Sequence, residues 1–520
     1  MLGINSLADK RKTALLTTAY KLLNGNICIP DIIQKFEFYV PDNFTTARRH
    51  RTFVVPRCRT NLPLVMLLGK MILLLNYPLI YIYFQLNMQK FKNFVASPIC
   101  CPSRSSILTG MYPHNHHTTN NSMSGGCSSL RWQVQLEPKT FAAILHREGY
   151  KTFYAGKYLN EYGEKQAGGP SHVPEGWDVW RGLVGNSKYY NYTLSIDGSP
   201  QLYDNEEYLT DVIVRSALFF KICLHYQPFL MFLAPPAPHA PFQPAPRHEE
   251  TFPGVKALQT PSYNIPAGKD KHWIMQMPPS PLPNDALLKL DDVYRRRWQT
   301  LLAVDEMIEE VVQSLDEAKL LDNTYIIVTS DNGFHMGQFS QAYDKRQPYD
   351  TDIRVPFLIR GPGILEGGSP PYPIMNIDLA PTILQLAGLK PPADMDGTND
   401  VNFDEPYDRR MLVEYSGEGS EGSTDCPWGE DKNLFMCQPD YYCKCQDAKN
   451  NTYSCVRNFL PEMDFIYYVC MQFIGTLIFE NDFIECNFLI RFFKRLENDK
   501  TLPPKLMNIS LSQYKPLYVL

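Results

Sequence analysis

The chain has 520 residues, a formal net charge of -5 at pH 7 and 44% hydrophobic residues, with a sequence pI near 6.2. A chain of that size and apolar content fills a large core, divided over two domains, and its mildly acidic balance argues against a general nucleic-acid binder. Thirteen cysteines are too few for a disulfide-built miniature fold, but Cys426, Cys437, Cys443, Cys445 and Cys455 crowd into one segment. That segment holds no histidine and no Cys-x-x-Cys spacing, so disulfides fit it better than zinc and imply an oxidising compartment. Sequons at Asn43, Asn120, Asn191, Asn450 and Asn508 agree with a secretory route.

In chain order, residues 1–20 carry Asp9, Lys10, Arg11 and Lys12 and no continuous apolar core, so no signal peptide is apparent there. An apolar run follows from Leu62 to Leu86, interrupted by Pro63, Lys70, Asn76 and Pro78. It approaches the ~20 residues that span a bilayer, and equally suits a buried strand pair; membrane association through it is not favoured. From residue 94 to about 457, strand-like and helix-like segments alternate as in α/β proteins. Residues 100–110 read Cys-Cys-Pro-Ser-Arg-Ser-Ser-Ile-Leu-Thr-Gly. Lys157 ends an aromatic segment at Ala155-Gly156-Lys157. Pro228 to Ala234 is an apolar run that stops at prolines, as a buried parallel strand does, and His239 follows in Pro-Ala-Pro-His-Ala-Pro-Phe. Residues 243–284, rich in proline and histidine, read as a long surface excursion. Leu301, Val304, Ile308, Val311 and Leu315 set a helical period over Trp298–Leu315, and Asp291-Asp292 is read as capping that helix's N-terminus. Thr324 to Thr329 predicts a strand ending at Ser330-Asp331-Asn332-Gly333, where a doubly wound sheet exposes its ligand-binding edge. Asp331 and Asn332 offer hard oxygens for calcium. Lys345 lies in Tyr-Asp-Lys-Arg-Gln, and a second apolar stretch, Phe465 to Phe479, suits core.

The run Cys-x-Pro-Ser-Arg with Leu-Thr-Gly resembles the nucleophile motif of the sulfatase family. Met111 to His117, Gly156 to Gly163, Asn186 to Thr193, Lys271 to Ile274 and Arg296 to Leu302 look like the N-acetylglucosamine-6-sulfatase branch, as does the Cys-rich stretch around Asn450. The resemblance covers roughly residues 94–457. It implies an alkaline-phosphatase-like α/β fold, with a doubly wound, mostly parallel sheet and a smaller C-terminal subdomain. It implies removal of 6-O-sulfate from glucosamine in heparan or keratan sulfate, one calcium ion, and lysosomal or secretory residence. Cys100 would be oxidised to formylglycine by a formylglycine-generating enzyme. The hydrated aldehyde offers one hydroxyl to attack sulfur and a second to expel sulfate. Arg104 would hold that diol, Lys157 and Lys345 the sulfate, and His239 would protonate the leaving sugar oxygen. Asp331, Asn332 and the modified Cys100 would face the metal. Asn120, Asn191 and Asn450 are the favoured glycosylation positions. Position 159, a histidine in many sulfatases, is Leu159 here.

Members of the family also carry an Asp-Asp pair on a first strand, and no adjacent acids occur between Met1 and Cys100. The expectation is therefore an atypical segment 1–93, a catalytic domain 94–390 apparently lacking the first metal-binding strand, a Cys-rich segment 391–460 and an atypical tail 461–520. A truncated or alternatively spliced product would look like this at both ends. A catalytically weak glycan-binding homologue is the competing reading; a phosphatase is disfavoured because such enzymes usually attack with Ser or Thr.

Overall fold

Two apolar faces on one strand organise the core. In β2 (below), Phe153 and Ala155 point to one side of the sheet and Tyr154 to the other, the period of two that an extended chain imposes. The computed structural model describes residues 88–222, 227–268, 271–365, 373–398, 409–417, 442–448, 451–459, 466–472 and 477–480. The chain divides into two units, Met1–Ile80 and Tyr81–Leu520, and every described residue belongs to the second. The apolar run 62–86, the sequons at Asn43, Asn450 and Asn508, and Cys426 and Cys437 lie outside the described residues.

The elements, in order, are β1 (Gln89–Phe94), α1 (Cys100–Thr109), α2 (Phe141–Arg147), β2 (Lys151–Lys157), β3 (Val179–Leu183), β4 (Tyr192–Ile196), β5 (Ser199–Tyr203), α3 (Leu209–Ile222) and β6 (Phe229–Ala234). Then come α4 (Asn284–Glu317), β7 (Ile326–Thr329), β8 (His335–Met336), β9 (Tyr343–Asp344), β10 (Arg354–Arg360), β11 (Pro373–Met375) and α5 (Leu379–Leu386). β12 (Arg409–Tyr415), β13 (Tyr453–Phe459), β14 (Ile466–Gln472) and β15 (Leu477–Glu480) close the chain. Short 3-10 turns and small helices connect them.

One sheet has the order β5-β4-β3-β2-β6, with β2 parallel to both β3 and β6 and the hairpin β4–β5 antiparallel. A second has the order β11-β1-β10-β7, where β1 runs parallel to β11 and antiparallel to β10. The parallel pairs of a doubly wound α/β fold thus centre on β2 and are framed by antiparallel ones. Helices cover both faces of the first sheet. Leu209, Ile213 and Ala217 of α3 and Val304 and Met307 of α4 pack on Phe153 and Ala155. On the opposite face, Leu108 of α1, Phe141 and Leu145 of α2 and Leu384 of α5 pack with Tyr154 and Trp180. Each fully buried side chain of this size contributes about 1.5–3 kcal/mol. α2 starts where its sequence says it should, because the Thr140 side chain accepts the Ala143 N–H.

The C-terminal sheet, β12-β13-β14-β15, is antiparallel throughout and forms the smaller subdomain. The stretch Phe465 to Phe479, read as core, supplies β14 and most of β15. Among the described residues no helix is long and apolar enough to cross a membrane.

One reading is corrected. α4 begins at Asn284, well before the apolar period at Trp298, so Asp291-Asp292 lies inside the helix rather than at its cap. Pro283 blocks helix upstream and occupies the N-cap position. Asp291 instead accepts the Ala257 N–H at 2.9 Å, and Asp292 pairs with Arg296 at 2.8 Å.

Gly156 pairs with Ala234 where β2 runs parallel to β6. Its φ is +109°, and a Cβ there would lie 2.0 Å from the Ala234 carbonyl oxygen. Gly156→Ala is therefore expected to cost about 3 kcal/mol, the upper range for a single substitution. Urea unfolding checks this; a midpoint equal to that of the unaltered chain would show that the β2–β6 contact is not a constraint.

Candidate active site

The site assembles where α1 begins and where β2, β6 and β7 end. β1 runs into Ser97-Pro98-Ile99, and Cys100 takes the first position of α1, 1% exposed. Cys101 is bonded to Cys127 across a Cα–Cα distance of 6.0 Å, which leaves Cys100 as the free thiol among the described cysteines. The Cys101 N–H donates to Asn121 Oδ1 at 2.9 Å. Burial pushes the Cys100 thiol up, but Lys157, Lys345 and Arg104 outweigh that and the net shift is downward. The helix N-terminus adds the same sign of field.

Lys157 is the last residue of β2, 1% exposed, and its Nζ is buried without a hydrogen-bond partner. Burial lowers it to about 8, with Cys100 and Asp331 opposing and Arg104 and Lys345 assisting that shift. Tyr154 OH donates to the Lys157 carbonyl and fixes the strand end. Leu159 sits in the core at 0% exposure, beside Tyr158 and Tyr162, so the aromatic motif after Lys157 serves packing.

Arg104 was expected to hold the diol through its fork. That fork is engaged: Nε donates to Asp331 Oδ2 at 2.8 Å and Nη1 to the Lys157 carbonyl at 2.7 Å. It ties the end of β2 to the end of β7. Although burial would raise it, Asp331 is held well below the usual carboxylate range by Arg104, Lys157 and Lys345. Its Oδ1 accepts the Asn332 N–H at 3.0 Å. Lys345, 5% exposed and just past β9, completes the positive cluster.

His239 lies in the turn after β6. Its Nδ1 is 2.7 Å from the Ala240 carbonyl, an acceptor only, so Nδ1 carries the proton and Nε2 the lone pair. Burial first, then Lys157 and Lys345, holds this imidazole neutral, well below its ordinary range. Tyr189 OH donates to the His239 carbonyl at 2.7 Å, and Arg297 Nη1 to the Pro238 carbonyl at 2.9 Å. These two supports were missed by sequence reasoning, although each lies inside a resembling run. Ser103 and Asn376 were missed as well. Ser103 Oγ donates to the Asp331 carbonyl, while Asn376 Nδ2 donates to Ser103 Oγ at 2.9 Å and its Oδ1 accepts the Ala96 N–H at 2.9 Å. Ser103 had a signal, being part of the Cys-x-Pro-Ser-Arg run; Asn376 had none.

A hard cation finds part of a donor set here. Asn332 Oδ1 is a buried oxygen with no hydrogen-bond partner, next to the Asp331 carboxylate. These oxygens fit calcium in kind, and Asp331, Asn332 and an oxygen on a modified Cys100 are the residues that would hold it. In number they fall short of the about 6–8 oxygens calcium takes. Among the described residues no group of three or more His, Cys, Asp or Glu is arranged for a metal.

In the Cys-rich segment, Cys443, Cys445 and Cys455 are disulfide-bonded, as the composition suggested. Of the described sequons, Asn191 is exposed, with its Nδ2 near Asn205. Asn120 is half-buried, its Oδ1 accepting the Ser122 N–H at 2.9 Å.

The family model described as Sulfatase matches residues 78–389. N-acetylglucosamine-6-sulfatase of Homo sapiens is 48% identical over 377 residues, covering 70% of this chain and 67% of that protein. Its counterpart in Capra hircus is 47% identical, with 70% and 66% covered, so the chain spans about two thirds of the length of these relatives. The extracellular sulfatase SULF-1 homolog of Drosophila melanogaster is 41% identical over 58% of this chain and 27% of its own. Among solved structures, BT4656 in complex with its substrate D-glucosamine-2-N,6-O-disulfate superposes with a TM-score of 0.57 at 21% identity, over 75% of this chain and 85% of that one. The phosphonate monoester hydrolase SpPMH from Silicibacter pomeroyi superposes at 0.54 with 20% identity, over 79% and 88%. At such identities these likenesses speak for the fold alone, which is the alkaline-phosphatase-like α/β fold. The match over residues 78–389 and the 48% identity place this chain in the sulfatase family.

Proposed function

We propose that the chain is a sulfuric ester hydrolase acting on the 6-O-sulfate of glucosamine units in heparan or keratan sulfate, in the lysosome or along the secretory pathway. The observation that carries this reading is Lys157: a buried ammonium without a hydrogen-bond partner, beside the free Cys100 thiol. Leaving such a group unpaired is costly, and an oxyanion is the partner that repays it. The relatives' name supplies the substrate class. If present, formylglycine at Cys100 supplies a hydrated aldehyde with an attacking and a releasing hydroxyl, and calcium supplies charge against the developing sulfate.

The chain's own residues then divide the work. Lys157 and Lys345 neutralise the sulfate oxygens. His239 enters neutral; the bound anion cancels the field of the two lysines and lets Nε2 take a proton from solvent water, which it passes to the departing sugar oxygen. Arg104 keeps Asp331 ionised and holds the ends of β2 and β7 together. A non-catalytic glycan-binding role is the second reading, favoured by a donor set of only two residues, Asp331 and Asn332, among those described.

The first test is the modification itself. When the chain meets the modifying enzyme, Cys100 and not Cys101 becomes formylglycine, because the motif counts its proline two residues after the modified cysteine and Pro102 stands at that spacing from Cys100. Peptide mass spectrometry of residues 92–104 after reduction is expected to show a loss of about 18 Da at Cys100. An unmodified Cys100 removes the assignment.

Lys157 gives a pH signature. Its charged form binds the anion and its pKa is lowered to about 8, so affinity for inorganic sulfate is flat below that value and falls as pH rises through it. Lys157→Met should weaken binding roughly 10-fold or more at neutral pH, the scale of a hydrogen bond to a charged group, and should abolish the fall. Calorimetry across pH 6–10 (about 1 unit steps suffice, since a pKa unit is tenfold) checks both. An unchanged profile in the variant would assign sulfate to other residues.

Calcium should bind weakly, because the described ligands leave most of its oxygen positions to water. Titration calorimetry is expected to give a dissociation constant in the range of about 10⁻⁴–10⁻³ M, as in weak extracellular calcium modules. Tighter, micromolar binding would mean that further acids reach Asp331.

A further inference from the structure

The loops carrying Asn332 and Lys345 meet on one buried carboxylate. Asp352 is 0% exposed. Both its oxygens lie 3.0 Å from His335 Nδ1, Oδ2 accepts the Gln347 N–H at 2.9 Å, and Oδ1 accepts the Thr351 hydroxyl at 2.9 Å. Its carbonyl accepts the Gly333 N–H at 2.7 Å, and the Thr351 carbonyl accepts the Phe334 N–H at 2.7 Å. Approach is so close that a Cβ on Gly333 would lie 2.1 Å from the Thr351 oxygen. So one side chain and its backbone grip Gly333, one residue beyond Asn332, and Gln347, two residues beyond Lys345.

His335, itself 2% exposed, is oriented from behind. Gln446 Nε2 lies 3.0 Å from His335 Nε2. A carboxylate on Nδ1 takes that nitrogen's proton as a donor, which leaves Nε2 to accept from the Gln446 amide. Gln446 follows the disulfide-bonded Cys445, and its carbonyl accepts Asn451 Nδ2 at 2.6 Å and Tyr415 OH at 3.2 Å. No hydrogen bond in this chain of contacts reaches Cys100, and the charges that chiefly shift Cys100 and Lys157 are each other's and those of Lys345, Asp331 and Arg104.

We propose that Asp352 and His335 are positioning residues: they set the spacing between the Asn332 turn and Lys345, and the Cys-rich segment, through Gln446, fixes the imidazole that does so. Buried partners of this kind hold ligand-bearing side chains in their working geometry, and their loss typically costs about 10–100-fold in affinity or activity. The inference rests on the anion-binding reading of the site above, in which Lys345 meets the sulfate.

The experiment measures inorganic sulfate binding by the full-length chain, with melting temperature followed in parallel. His335→Ala is expected to weaken binding roughly 10-fold. His335→Asn, whose amide can reach Asp352 but not Gln446, should stay within about threefold of the unaltered chain, since the bond to Asp352 is the one that acts. Asp352→Asn keeps the volume, removes the charge and should fall with His335→Ala; it serves alone if His335→Ala does not fold. Equal affinities for the unaltered chain and these variants, or equal losses in His335→Ala and His335→Asn, overturn the proposal. If the unaltered chain binds no sulfate and Lys157→Met changes nothing, the reading of the site falls instead, and the positioning role with it.

Discussion

Three cationic side chains around one buried thiol, Lys157 and Lys345 buried and Arg104 half-buried, with Asp331 as the carboxylate that balances them among the described residues, set the terms for the rest of the molecule. Arg104 and Asp331 satisfy each other at 2.8 Å. Lys157 and Lys345 remain, and burial presses Lys157 toward its neutral form. Desolvating a charge without a partner is among the larger costs a fold can carry, and it persists only if the surrounding structure over-determines it. The same imbalance lowers Cys100 and Asp331 against the effect of burial, and adds to burial in holding His239 neutral. One arrangement therefore acts on Cys100, Lys157, Asp331 and His239 at once.

The scaffold that tolerates this is stiff for identifiable reasons. Tyr154 stacks on Trp180 at 4.7 Å between ring centroids and on Phe232 at 5.2 Å, joining β2, β3 and β6 on the face that leads to Lys157. Trp180 Nε1 donates to Tyr162 OH at 2.6 Å and Trp132 Nε1 to Tyr158 OH at 3.1 Å, so the aromatic layer leaves these ring donors satisfied. Gly156 lets the β6 backbone come close enough to put His239 and Lys157 on one mouth. On the other side, Asn376 ties Ala96, before Cys100, to Ser103, which holds the Asp331 carbonyl.

Two strands stand apart from this closure. β6 and β7 are apolar, Phe-Leu-Met-Phe-Leu-Ala and Ile-Ile-Val-Thr, yet mostly half-buried, and each is the edge of its sheet among the described residues. Phe232 of β6 and Ile327 of β7 pack against the same small cluster around Phe91 and Phe357. The chain continues from both into site residues, toward His239 from β6 and into Asp331 from β7. The donor set for a cation is thin at the same place where the sheets present unpaired edges.

The sequence by itself determined the alternation that makes an α/β fold and singled out residues that the structure brings together at the candidate site. Cys-x-Pro-Ser-Arg singled out Cys100, the apolar runs before Pro235 and Ser330 gave β6 and β7, and the cysteine crowding foretold disulfides. These were legible because each depends on local pattern: strand length, turn residues, motif spacing. The extent of α4 was missed although it was legible: Ala286, Leu290 and Val293 carry an i, i+4, i+7 period back toward Pro283, which rather than the Asp pair decides where the helix begins. Tertiary structure alone decided that Arg104 spends its fork on Asp331 and the Lys157 carbonyl, that Asn376 and Tyr189 brace the site, and that Asp352 and His335 join two loops. Those partners are far apart in the chain, 227 residues for Arg104 and Asp331 and 273 for Ser103 and Asn376. No local pattern encodes such pairings; they exist only once folding brings these polar groups within reach of one another and burial leaves no water to replace them.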